Sequence, residues 1–300
     1  MSKGIRRITM NYGAIEAGGT KFVLAIGNKD GEILERKSIQ TRDPKETMDE
    51  VISFFKDKDI KALGLGCFGP LELNRGKEKY GYITSTPKAK WVNFDILGTL
   101  KSALNIPVSI STDVSAAALG EVTFGDFKNE PTLLYITIGT GIGGGYVIDG
   151  KIHNGMLHPE LGHILVTKDP KDSYKGFCRF HENCLEGLAA GPANEGRTGL
   201  KGSEIPDSHE SFDFVAKYIA EALMNYILVL SPTKIVLGGG VMDRSFLFPK
   251  IRENVQRMLN GYILTDELQD IDNYIVSPSL MNHSGIKGAL ALALNAETEN

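Results

Sequence analysis

No uninterrupted apolar run in the sequence approaches the ~18 residues of a membrane-spanning helix, so no membrane association is expected. The opening MSKGIRRITMNYG has basic residues but no apolar stretch after them, so no signal peptide is read there. Met10 is a second candidate start, with the residues before it a disordered extension. Cysteine is scarce, with only 3 residues, which suits a reducing cytoplasm better than a disulfide scaffold. Long Lys/Arg runs are absent and the net charge is −4, so a nucleic-acid partner is not expected. A Walker A pattern, G-x4-G-K-[ST], does not occur.

What is present is a chain of 300 residues, 42% apolar and 23% charged, enough for one large globular domain or two ordinary ones. Glycine, at 34 residues, is clustered. YGAIEAGGTKFVLAIGNKDGEILERKSI reads as strand, glycine turn, strand, Asp30-Gly31 turn, strand, with period-2 alternation in KFVLAI. ETMDEVISFFKDK after Pro44 is helical, IKALGLGCFGP is a buried strand into a turn, FDILGTLKSAL a helix, PVSISTD a strand and VSAAALGEVTFG a helix. TLLYITIGTGIGGGYVIDGKIHNG then repeats the opening pattern. Beyond residue 187 come the long helix SFDFVAKYIAEALMNYILVL, the strand and glycine loop TKIVLGGGVM, and the closing helix SGIKGALALALNAE. The internal echo predicts an α/β duplicated two-lobe fold with an interdomain cleft. A small lobe spans 10–115, with closing helix 284–298 packed back on it, and a larger lobe spans 116–283.

GTGIGG at 139–144 has the G-x-G-x-x-G spacing, but a strand follows where a dinucleotide site needs a helix. One glycine hairpin alone is an ordinary tight turn. Three such loops, Gly18-Gly19-Thr20-Lys21, Gly139-Thr140-Gly141 with Gly143, and Gly238-Gly239-Gly240, predict phosphate and nucleotide cradles of backbone N–H groups. Asp113 falls where a strand ends and a helix begins. A capping role is the bland reading, but Thr112 can cap instead and leave Asp113 to accept a hydroxyl proton. Cys178-x2-His181-x2-Cys184 supplies three metal-ligand types in one loop. The loop by itself leaves a metal site and chance clustering about evenly matched. Cys67 is read as a buried small residue, and His153 and His158 as surface or turn polarity.

EAGGTK, CFGP, TDVSAAALGE, ITIGTGIGGG, HPELGH, CLEGLAAGPA and IVLGGGV, in that order from Glu16 to about Gly288, resemble the ROK sugar kinases, in particular their bacterial fructokinase branch. The resemblance implies an actin/hexokinase-like (ribonuclease H-like) fold and transfer of the γ-phosphate of ATP, with Mg2+, to the 6-hydroxyl of D-fructose. It implies Asp113 as catalytic base. Thr112, Glu160, His163, Glu186 and Gly69 would contact the sugar, and Pro192 would join the three glycine loops around the nucleotide. It makes His163 the fourth ligand, with Cys178, His181 and Cys184, of a structural zinc ion, and it implies a homodimer. Glu16 departs from the family's more frequent Asp. Thr112 stands where glucose and amino-sugar kinases tend to carry Asn, which favours fructose, and Ser115 replaces another common Asn. Two alternatives are a glucose, mannose or N-acetyl-amino-sugar kinase and a sugar-responsive regulator. The regulators carry a helix-turn-helix before the first glycine hairpin, where this sequence has about a dozen residues.

Overall fold

The computed structural model describes residues 10–298, so the extension read before Met10 lies outside the described residues. The chain divides into two compact units. One runs to Lys128 and includes Asn154–His158 and the residues from Asn282; the other holds Asn129–His153 and Pro159–Met281. No helix among the described residues is long and apolar enough to cross a membrane.

The first unit is built on a five-stranded sheet. β1 (Asn11–Ala17), β2 (Lys21–Asn28) and β3 (Ile33–Gln40) form an antiparallel meander. After α1 (Pro44–Phe55), β4 (Ile60–Cys67) pairs parallel with β1. A small two-stranded sheet, β5 (Tyr82–Ile83) with β6 (Phe94–Asp95), and α2 (Ile96–Leu104) precede β7 (Val108–Thr112), which pairs parallel with β4. α3 (Asp113–Thr123) follows. Asp43 starts α1 by accepting the Glu46 N–H at 3.0 Å, with Pro44 in the first turn.

The alternation expected in β2 is an alternation between two cores. Ile15, Phe22 and Leu24 face Met48, Val51 and Phe55 of α1, Leu97 and Leu100 of α2, and Trp91. Tyr12, Ala14, Val23 and Ala25 face Ile286, Ala289, Leu290 and Ala293 of the closing helix, Ser284–Thr298. That helix approaches its neighbours backbone to backbone. A Cβ on Gly64 would overlap the carbonyl oxygen of Ala289, and one on Gly288 would overlap that of Ala116 in α3. This contact explains why the first unit runs past the boundary expected at residue 115: α3 packs on the closing helix.

The second unit repeats the pattern. β8 (Thr132–Ile138), β9 (Ile142–Ile148) and β10 (Lys151–Ile152) form the antiparallel meander. α4 (Leu185–Ala189), α5 (Gly191–Thr198) and α6 (Ser211–Leu230) precede β11 (Lys234–Gly238), which lies parallel to β8. α7 (Leu247–Leu259), α8 (Asp266–Gln269) and α9 (Ile271–Tyr274) lead to β12 (Ile275–Val276), parallel to β11. The sheet orders β3-β2-β1-β4-β7 and β10-β9-β8-β11-β12 are the same topology twice, as the sequence echo predicts.

A buried ion pair pins α5. Asp172 accepts from Arg197 Nη2 at 2.7 Å and from Tyr218 Oη at 2.8 Å, and the guanidinium lies 5.1 Å from the Tyr174 ring centre. Burial alone raises the Asp172 carboxyl, but the bonds from Arg197 and Tyr218 outweigh it and hold the group below its ordinary range. Because the folded value is depressed, this stabilisation is fully present above the unfolded carboxyl value of about 3.9 and is lost as pH falls through the lower folded value.

Two measurements check these contacts. Gly288→Ala should destabilise the protein by roughly 1–3 kcal/mol or more, because a backbone must move to admit the methyl group. Gly155→Ala, which meets open space, should leave the melting midpoint almost unchanged. Asp172→Asn should cost about 3–5 kcal/mol near neutral pH by urea unfolding, the range for breaking a buried pair. The gap from the unsubstituted protein should narrow as pH drops below about 4, and a gap independent of pH would assign the stabilisation elsewhere.

Candidate functional site

In the first unit the β1–β2 turn carries Gly18, Gly19, Thr20 and Lys21. The Gly18 N–H donates to the Lys21 carbonyl at 3.0 Å. Thr41, just after β3, braces this turn from below: its hydroxyl donates to the Gly18 carbonyl at 2.8 Å and its N–H to the Thr20 carbonyl at 3.0 Å. Thr20 and Lys21 are exposed at the tip. Sequence reasoning missed Thr41, which nothing local distinguishes; only strand pairing brings it under the glycines.

Asp113 follows β7 directly and opens α3, its Oδ1 accepting the Val114 N–H at 2.9 Å. The cap belongs to Thr112, whose Oγ1 accepts the Ser115 N–H at 3.1 Å and lies 2.8 Å from the Ser115 hydroxyl. Thr112 is buried, so its hydroxyl is spent on the helix start. Glu16 sits in the same electrostatic field. Burial raises its carboxyl, and the charge of Asp113 raises it further, against the pull of Arg36 and Lys21.

Gly69 follows β4, and a Cβ there would lie 3.5 Å from His158 Nε2. His158 is only 6% exposed, which corrects its reading as surface or turn polarity: packing beside Gly69 covers it. Cys67 is fully buried, as expected, and burial pushes its thiol well up.

In the second unit the β8–β9 turn is Gly139-Thr140-Gly141, closed by the Gly139 N–H to the Gly141 carbonyl at 2.9 Å. Gly143 lies beyond the turn, within β9 opposite Thr137. The first residue of α5, Gly191, donates to the Gly139 carbonyl at 2.8 Å, which brings Pro192 beside the turn. Gly238-Gly239-Gly240, which begins with the last residue of β11, packs alongside. Gly239 has φ +89° and lies against the Ile138 backbone, where a Cβ would collide. Val241 closes the loop by donating to the Ile138 carbonyl at 2.9 Å. Three backbone-lined turns far apart in sequence thus gather at one end of this sheet.

Next to them the Cys/His residues converge. One ligand atom from each of His163, Cys178, His181 and Cys184 lies within 4.8 Å of every other. Cys178 Sγ is 3.9 Å from His163 Nδ1 and 3.7 Å from His181 Nδ1. These spacings approach the ~3.5 Å edge of a tetrahedron with Zn–S near 2.3 Å and Zn–N near 2.0 Å. Two thiols and two imidazoles are the donor chemistry of a closed zinc site, and three of the four come from the loop Cys178–Cys184, whose end is pinned by the Leu165–Cys184 bridge. Burial pushes the Cys184 thiol up to about 11, with Cys178 adding and the Gly187 N–H opposing. His153 is exposed and, like His158, is not part of the cluster.

Glu186 joins the cluster to the turn. Its Oε2 accepts the Ile142 N–H at 2.9 Å, and its Oε1 lies 3.9 Å from His163 Nε2. His163 therefore turns Nδ1 to the sulfur cluster and Nε2 to the carboxylate. Glu160 is exposed one turn earlier, its carbonyl accepting the His163 N–H at 3.0 Å.

Comparison with known proteins extends these observations. A family model described as ROK family matches residues 12–296. A fructokinase of Pediococcus pentosaceus is 48% identical over 284 residues, covering 95% of this chain and 98% of the relative. A fructokinase of Lactococcus lactis subsp. cremoris is 43% identical over 295 residues, covering 97% and 100%. Among solved structures, a ROK hexokinase from Thermus thermophilus superposes with a TM-score of 0.79 at 26% identity, covering 97% of this chain and 100% of that one.

Proposed function

The chain belongs to the ROK family, and on that premise we propose that it is an ATP-dependent fructokinase transferring the γ-phosphoryl group of ATP to the 6-hydroxyl of D-fructose. The observation that carries this reading is substantial identity to curated fructokinases along nearly the whole chain. A fold likeness alone would leave the acceptor open.

In this reading Asp113 accepts the proton of the attacking hydroxyl. It stands at the C-terminal end of a parallel strand with the helix start already capped by Thr112. Thr112 acts on the acceptor by setting where Asp113 sits. The Gly18–Lys21 turn and the Gly139–Gly141 turn offer backbone N–H groups and the Thr20 and Thr140 hydroxyls to phosphate oxygens. Pro192 and Gly238–Gly240 line the nucleotide end. Glu160, His163, Glu186 and Gly69 serve the sugar. Mg2+, when bound with ATP, would supply charge neutralisation to the phosphates.

His163, Cys178, His181 and Cys184 would hold a structural zinc ion, which would fix the His163 ring whose Nε2 faces Glu186. Hydrogen bonds to one hydroxyl pattern reject a sugar that leaves them unpaired. The reading places the reaction in the cytoplasm, carried out by a homodimer.

With MgATP and a panel of fructose, glucose, mannose and N-acetylmannosamine, kcat/KM should be highest for fructose. A lead for glucose or the amino sugar would keep the kinase and reject the fructokinase. Asp113→Asn should lower kcat by ~10²–10⁴-fold while weakening sugar binding far less, and near-normal turnover in the folded variant would remove Asp113 from the mechanism.

Elemental analysis of protein purified without added zinc should find about one zinc per chain. Cys178→Ser should lose it; unchanged zinc content would mean different ligands. Chelation should raise KM for the sugar more than for ATP, because it loosens the loop that carries His163.

A further inference from the structure

Lys88 lies in the segment between β5 and β6, nearly seventy positions from the first glycine turn, yet it covers that turn. A Cβ on Gly19 would sit 3.0 Å from Lys88 Cε and 3.9 Å from its Nζ. A side chain at 19 would press on the lysine stem, so the glycine at 19 and the lysine at 88 fit closely together.

The placement is anchored. The ring of Trp91, only 1% exposed, sits 5.6 Å from Phe22 and from Phe68 and 5.4 Å from Phe94. Phe22 is the second residue of β2, immediately after the glycine turn. Trp91 Nε1 donates to the Arg42 carbonyl at 2.9 Å, next to the Thr41 that braces Gly18 and Thr20. Its backbone N–H donates to the Lys88 carbonyl at 2.8 Å, and the Lys88 N–H reaches the Thr86 hydroxyl at 3.4 Å. The Lys88 backbone is thereby tied to both flanks of the turn it covers.

The ammonium is also unlike its neighbours. Lys77 pairs with Glu72, Lys90 with Asp43, and Lys79 donates to Asn93. The Lys88 ammonium makes no ion pair or hydrogen bond among the described residues. A half-buried cation poised over a glycine turn suits an anionic ligand on that turn.

We propose that Lys88 is a further catalytic residue, whose ammonium contacts the γ-phosphoryl group of ATP on the Gly18–Lys21 turn and neutralises its oxygens during transfer. This rests on the kinase reading above. In the step the acceptor oxygen bonds to the γ-phosphorus, the bond to the β–γ bridging oxygen breaks, and its electron pair leaves with ADP. The hydroxyl proton goes to Asp113. Lys88 forms no covalent bond and gives up no proton; it lowers the cost of charge spread over three phosphoryl oxygens.

The test uses the full chain with Lys88→Met, which keeps the stem and removes the charge, Lys88→Arg, and Lys90→Met as a control on the same segment. Lys88→Met should lower kcat by ~10²–10³-fold with KM for fructose changed little, as for loss of one preorganised charge contact. By calorimetry, its preference for a non-transferable ATP analogue over ADP should shrink by about tenfold, the size of one charged hydrogen bond. Lys88→Arg should recover much of both, and Lys90→Met should leave both unchanged. A Lys88→Met kcat within about threefold of the unsubstituted chain overturns the proposal, as do equal losses in Lys90→Met or a rise confined to KM for fructose. Should the unsubstituted chain phosphorylate no hexose, the kinase reading fails by itself. The triphosphate-over-diphosphate preference, with and without Lys88, then still decides whether this lysine meets a γ-phosphate.

Discussion

Glu186 ties the second unit's chemistry together. One carboxylate oxygen accepts the N–H that follows the Gly139–Gly141 turn, and the other faces His163, whose opposite nitrogen faces the sulfur cluster. A carboxylate so divided makes turn, imidazole and cysteine loop a single mechanical element. A metal held at the cluster would stiffen the histidine and, through Glu186, the turn, as outer partners do at other metal centres.

The first unit depends on a different constraint, backbone-to-backbone packing of the closing helix on β4 and α3 at Gly64 and Gly288. That approach holds together the strand ends from which Gly69 and Asp113 emerge. The polar groups follow from it. Thr112 supplies the cap, so Asp113 begins a helix without being consumed by it. Thr41 and the Trp91 cluster hold the glycine turn on its other side. Rigid strand ends with exposed loop tips are a common way to combine precise placement with access for ligands.

Much was legible in the sequence for simple reasons. Strand–turn–strand patterns with Asp-Gly punctuation, the 20-residue helix Ser211–Leu230 and the repeated glycine hairpin are local signals, and they yielded the duplicated sheet. Asp113 and the Cys178/His181/Cys184 loop were legible because their chemistry is written in residue type and spacing. The helix Leu247–Leu259 was not read, although Leu247, Phe248, Ile251, Val255 and Leu259 have helical spacing, because Pro249 in its first turn obscured the pattern.

Other features have no local signature. The burial of His158 beside Gly69, the Asp172–Arg197 pair, the division of Glu186 between Ile142 and His163, and Lys88 over Gly19 each join residues 23 to 89 positions apart. The sequence by itself determined which segments become strands, turns and helices, because those choices rest on dihedral preference and hydrophobic period over a few residues. Only the tertiary structure decided which side chains meet, because strand pairing and helix packing fix distances between residues that no periodicity connects.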